Sequence, residues 1–267
     1  MTSTPTRTVK PLRWTMLGTA AATSLALGQI ATVATFAATP AFAQSAAEAG
    51  EAGEAGAIDT EGAALHLTAL GLFEAAHRIV AALYAQGEVT LAQEHLADSH
   101  HAYYEDLAHG IEEYGGAAFE AETLAFAEAV NSAVAPEVVA AAAEAVLAAI
   151  AAADAASGAS DYERGLSIKD LLTVARADYD GGVYEGKVDA AQEYRDAWGF
   201  VETARARANA LAASTNEASA KAGTAILEQI EALAPLFPSL TATEAGGDPE
   251  LLPSAAAWTE IIALRIK

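Results

Sequence analysis

Residues 59–86 read DTEGAALHLTALGLFEAAHRIVAALYAQ. His66, Leu70, Phe73, His77, Val80 and Tyr84 recur at spacings of three and four, so a helix places them on one stripe. The stripe is apolar except for its two imidazoles, which therefore point toward a protein interior. Asp59 or Thr60 can cap the start of this helix, and Gly87 breaks it. Working outward, the same logic predicts helices over about 90–114, 119–133 and 136–156, the last opening on Pro136. After Ser157-Gly158-Ala159-Ser160, helices are predicted over about 167–178, 189–214, 216–233 and 255–266. No segment shows sustained apolar/polar alternation, and Ala, Glu and Leu dominate. The fold class read from this pattern is all-α, an antiparallel bundle of about six to eight helices.

The N-terminus has a different character. Arg7, Lys10 and Arg13 precede an apolar stretch over 14–38, and Ala41-Phe42-Ala43 offers a cleavage site before Gln44. Residues 1–43 are thus expected to be a secretory signal peptide, which places the protein in the periplasm of a Gram-negative envelope. Residues 44–58 carry three Glu-Ala-Gly units, starting at Glu48, Glu51 and Glu54, and read as a flexible acidic linker. The bundle domain is 59–267, with possible halves 59–157 and 161–267. No membrane insertion is expected to remain after signal cleavage. The most apolar later stretch, 138–156, is mostly Ala and carries Glu144 and Asp154, which fits a buried or amphipathic helix better.

Charge and sulfur narrow the function. The chain has 14 Lys+Arg against 36 Asp+Glu, a net charge of -22. Nucleic-acid binding through phosphates needs the opposite sign and is not expected. There is no Cys, and both Met lie in the expected signal peptide. Disulfides, thiolate metal sites, iron–sulfur clusters and Met-ligated haem are therefore excluded.

All six His lie between His66 and His109. Glu74-Ala75-Ala76-His77 is an E-x-x-H pair, whose two side chains can reach one metal ion from one helix. In the next predicted helix Glu94, Asp98, His101 and Glu105 share a face, His109 continues it, and His95 and His100 flank it. Solvated helix faces usually mix Glu with Lys, and this one has no Lys or Arg. Metal binding is the sharper reading, with Glu74, His77, His95, Asp98, His101 and Glu105 as expected ligands and His66 and His109 as outer candidates. Imidazole with carboxylate suits a transition metal ion: iron foremost, or zinc, manganese or Cu(II). Bis-His haem ranks below a bare ion.

In the second half, Asp178-Tyr179, Gly186-Lys187-Val188, Glu193-Tyr194 and Gly199-Phe200 follow one another closely. Over about 171–206 this pattern resembles the periplasmic helical domain associated with bacterial high-affinity iron permeases. The resemblance implies a module of iron uptake or handling, working beside an inner-membrane metal transporter. It carries over Asp178, Tyr179, Gly186, Glu193 and Tyr194. Two departures stand out. The R-E-x-x-E motifs of the permeases are absent, and Gly181-Gly182 replaces their more usual Pro-containing spacer.

Phosphate-binding loops, G-x-S-x-G and H-E-x-x-H are absent, and nothing in the sequence requires catalysis. The function expected is that of a soluble periplasmic metal-binding protein serving uptake or delivery of iron or another transition metal. The alternatives are a bundle enzyme with a di-metal or haem centre and a metal-free interaction module.

Overall fold

The computed structural model describes residues 58–267. The expected signal peptide and all but the last residue of the expected linker lie outside the described residues. The described residues form nine α-helices: α1 (Gly62–Ala85), α2 (Val89–Asp98), α3 (Glu105–Glu113), α4 (Glu120–Asn131), α5 (Pro136–Ala156), α6 (Asp161–Gly182), α7 (Ala191–Ala212), α8 (Glu217–Glu231) and α9 (Leu251–Ala263). Two two-residue strands, β1 (Val183–Tyr184) and β2 (Lys187–Val188), pair antiparallel between α6 and α7. The all-α expectation is met.

A break inside one predicted helix adds a helix to the sequence reading. The predicted helix over 90–114 is interrupted: α2 ends at Asp98, a single 3-10 turn spans His100–Ala102, and α3 starts at Glu105. Ser99 and Tyr103 adopt extended backbone conformations at the two breaks. The cause is tertiary. Tyr104 turns inward, packs edge-on against Phe119 at 5.0 Å and Phe73 at 6.4 Å, and accepts a hydrogen bond from the Phe119 amide at 3.0 Å. Burial of that ring outweighs the small intrinsic cost of breaking a helix between short pieces.

Helix α1 is buried almost all round, because it lies between two apolar clusters. Leu67, Leu70, Phe73, Ile79, Val80 and Leu83 join residues of α2–α5. Leu72 and Ala75, on the other side, join the core built by α6–α9. Within that second core α7 packs on α6 and α8, and α9 packs on α6 and α8. Gly199 of α7 lets the two sides approach: a Cβ there would meet Ile79 Cδ1 at 2.5 Å and the Ala75 carbonyl at 3.1 Å. The α1–α7 crossing is thus set by a missing side chain.

Helix α6 starts six residues before the sequence reading placed it. Ser160 caps it, accepting from the Glu163 amide, while Glu163 accepts from the Ser160 amide at 2.7 Å. This reciprocal pair is a capping box. The β1–β2 turn has positive φ at Glu185 and Gly186, the geometry of a two-residue hairpin loop. Both α1 and α5 are long and apolar enough to cross a membrane by composition alone. In this fold α1 is a core helix. Helix α5 is amphipathic, burying Val139, Ala143, Val146, Ile150 and Ala153 on one face.

Candidate functional site

The sequence-predicted residues are not brought together in one place. His66 and His77 are both buried in α1. They are eleven residues apart, about 16 Å along the axis, so they cannot share one ion. His66 stacks on Tyr114 with ring centroids 4.4 Å apart. Burial, helped by the nearby Arg207 cation, lowers its pKa to about 4. His77 donates from Nδ1 to the Phe73 carbonyl at 2.8 Å and packs against Phe73 and Phe126. Burial lowers its pKa to about 4, and Nε2 finds no hydrogen-bond partner.

Glu74 does not turn toward His77. Its carboxylate accepts from Arg78 Nε at 2.8 Å and Nη2 at 2.6 Å, and from Arg207 Nη2 at 3.4 Å. The E-x-x-H spacing is present, but the two side chains are held by different partners.

The second predicted group is redistributed by the break after Asp98. Glu94 and Asp98 stay on α2 and are exposed; Glu105 and His109 belong to α3 and are exposed. The continuous stripe read from helical spacing is not formed, because Ser99–Tyr104 resets the helix direction. His100 and His101 sit in the intervening 3-10 turn, half-buried, with ring centroids 3.9 Å apart. Among the described residues, no three His, Asp or Glu side chains converge closely enough to hold a metal ion.

The remaining imidazole makes the contact that spacing could not reveal. His95, buried on α2, places Nε2 3.4 Å from Asp196 Oδ1 of α7, itself buried. Neither His95 ring nitrogen has a hydrogen-bond partner. Burial first, then the Arg195 and His101 charges, lowers the His95 pKa to about 3, so the ring is neutral and its nitrogen lone pair is available. His101 lies edge-on to Phe200, one turn beyond Asp196, at 5.3 Å. His95, His101 and Asp196 thus occupy one neighbourhood between α2, the 3-10 turn and α7. The three do not converge on one point; His95 and Asp196 are the pair in contact.

The residues carried by the motif resemblance shape the helical corner. Tyr179 and Tyr194 both pack on Phe237, at 5.6 and 5.5 Å. Burial raises the pKa of both phenols, that of Tyr194 to about 12. Gly186 supplies the positive φ of the hairpin. Asp178 is buried in α6, and Glu193 lies in the first turn of α7 with its carboxylate against Gly181. The Gly-Gly spacer has a steric reason: a Cβ on Gly182 would lie 2.6 Å from the Tyr194 amide nitrogen.

A polar network that the sequence reading missed ties the first described residues to α6. Asp170, fully buried, accepts from Thr68 at 3.1 Å and from Thr60, and pairs with Lys169 at 2.6 Å. Lys169 also pairs with Asp59. Burial raises the Asp170 pKa against the pull of Lys169; burial pulls that of Lys169 down, but the Asp170 and Asp59 carboxylates together outweigh it and raise it.

The geometry defines an all-α protein whose C-terminal helices form a four-helix group. Residues 156–257 match the iron permease-associated 4-helix bundle domain family. The match contains the stretch over 171–206 where the resemblance was read, and it covers fewer than half of the 267 residues. It runs from the end of α5 into α9 and includes Asp196. No curated protein and no solved structure matches the chain.

Proposed function

We propose that this protein is a periplasmic accessory of iron uptake, which binds an iron ion as cargo and hands it to an inner-membrane transporter. The observation that carries this reading is the meeting of His95 with Asp196. A neutral, buried imidazole with no hydrogen-bond partner faces a carboxylate that belongs to the segment matching the iron permease-associated family. His95 and Asp196 would hold the ion as its two protein donors, with water completing its coordination. The Arg195 cation lies beside the site; burial lowers its pKa against the pull of the Asp196, Glu94 and Glu88 charges. The strong acidity of the chain favours the approach of cations. Imidazole–carboxylate sets also accept zinc, manganese and Cu(II), so selectivity is part of the test.

The test is elemental analysis of the untagged protein purified from the periplasm, followed by titration with Fe(II), Zn(II), Mn(II) and Cu(II). About one equivalent of iron, or saturable binding of Fe(II), is expected. Protein that is metal-free as isolated and takes up none of the four ions would overturn the reading.

A further inference from the structure

Between Val89 and Ala156, the span of α2–α5, the chain carries twelve Asp or Glu and no Lys or Arg. Acidity alone defines no site, but here it borders an apolar groove. A cavity of about 240 Å³ lies between α2, the 3-10 turn and α4. Leu96, Ala102 and Tyr103 line one wall, and Leu124 and Ala127 line the other. Two large side chains stand open at it: Tyr103 is 52% exposed and Leu124 is 60% exposed. Glu105 and Glu120, both exposed, complete the lining with negative charge.

Shape and chemistry select the occupant. The cavity is smaller than the roughly 300 Å³ at which small-molecule sites begin, so it suits side chains of a larger partner. On α4, Glu120, Leu124, Ala127 and Asn131 recur at spacings of three and four. The groove therefore follows that helix for about 16 Å, or roughly three turns. Its walls are mainly helical, and their backbone groups are spent on internal hydrogen bonds. An extended strand would find no ladder to join, whereas a helix laid in the groove needs none. Glu105 and Glu120 select a partner with Lys or Arg beside its apolar anchors. A second copy related by a two-fold axis would set the same carboxylates against each other.

We propose that this groove docks a basic amphipathic helix of a partner protein. Its apolar side chains pack beside Tyr103 and Leu124, and its cations face Glu105 and Glu120. Leu96 follows His95 and Ala102 follows His101, so the docked helix lies against the elements that carry those imidazoles. The partner's role as iron recipient rests on the hand-off reading above; the docking itself does not.

The experiment is fluorescence anisotropy of the full secreted protein with a labelled peptide of about 14 residues, made of Leu and Lys at helical spacing. Saturable one-site binding is expected in ~0.15 M salt, where exposed charges more than ~8 Å apart are screened. An isomer with Leu and Lys alternating, and a peptide with Glu in place of Lys, should each bind at least ~10-fold more weakly. Leu124→Ser and Tyr103→Ser should each weaken the helical peptide at least ~10-fold with an unchanged far-UV spectrum. Glu120→Gln should weaken it and flatten its salt dependence. Glu144→Gln, at an exposed position of α5, should not. No saturable binding, equal binding of the two isomers, or equal effects of Glu120→Gln and Glu144→Gln overturns the proposal. A dimer in sedimentation equilibrium that Leu124→Ser dissolves also overturns it, by assigning the groove to a second copy. His95→Ala should leave peptide binding intact, and Leu124→Ser should leave iron content intact, so the docking and the iron reading fail separately.

Discussion

His95 and Asp196 meet 3.4 Å apart although about a hundred residues separate them along the chain. One belongs to the N-terminal helices, the other to the segment that matches the iron permease-associated family. If iron is held there, His95→Ala and Asp196→Asn should each lower Fe(II) affinity by at least ~10-fold, since loss of even an outer partner of a ligand costs about that much. Helix content by circular dichroism should stay unchanged. His109→Ala, at an exposed position of α3, is the control and should leave affinity unaltered. Equal affinities in all three variants would sink the assignment.

His77 should make the protein sensitive to acid. The unfolded chain takes up a proton on this residue below pH ~6.5, whereas the folded chain refuses it until about 4. Stability present above pH 6.5 is therefore lost progressively as the pH falls from 6.5 to 4, by about 3 kcal/mol for this residue. His77→Leu removes that dependence. Urea unfolding at pH 7 and pH 4.5 should show a smaller pH difference in the variant, and identical differences would refute the account.

Gly199 should resist enlargement. Its Cα faces Ile79 and the Ala75 carbonyl, so Gly199→Val must push α1 and α7 apart. Overpacking of this kind costs about 1–3 kcal/mol, more than the gain in helix propensity over Gly recovers. A melting temperature at or above that of the parent would show that the crossing is looser than the contacts imply.

The Asp170 network offers a contrast between buried and exposed charge. Asp170→Ala leaves buried Lys169 without its inner partner and should cost about 3 kcal/mol. Asp59 pairs with the same lysine, but its side chain is 80% exposed, so Asp59→Ala should cost below about 1 kcal/mol. Denaturant midpoints of the two variants provide the check, and equal shifts would contradict the ranking.

The helical architecture was largely legible because apolar spacing and Gly or Pro stops are local signals. The stripe from His66 to Tyr84 is buried as read. The start of α6 was legible too, in Ser160 and Glu163, but only to a reader looking for the reciprocal cap. The break at Ser99–Tyr104 was not, because its cause is a pocket made by Phe73 and Phe119, residues on other helices. The same limit governs the site. Periodicity placed Glu94, Asp98, His101 and Glu105 on one face, yet it says nothing of which helix lies opposite. The Asp196 that faces His95 sits within a segment whose motif drew attention to its neighbours Glu193 and Tyr194. Nothing in the sequence marks Lys169-Asp170 as interior; the packing of Thr60 and Thr68 against Asp170 shows it.

Helix α1 gives one side to each apolar cluster, and this has a consequence for dissecting the molecule. The segment that matches a family, 156–257, begins long after α1 and so excludes it. Expressed alone, that segment would expose the groove that Leu72 and Ala75 fill and the bare backbone at Gly199. The unit recognisable by descent is therefore smaller than the unit that melts. A fragment beginning at Gly62 should unfold in one cooperative transition, whereas one beginning at Ala156 should bind a hydrophobic dye and aggregate.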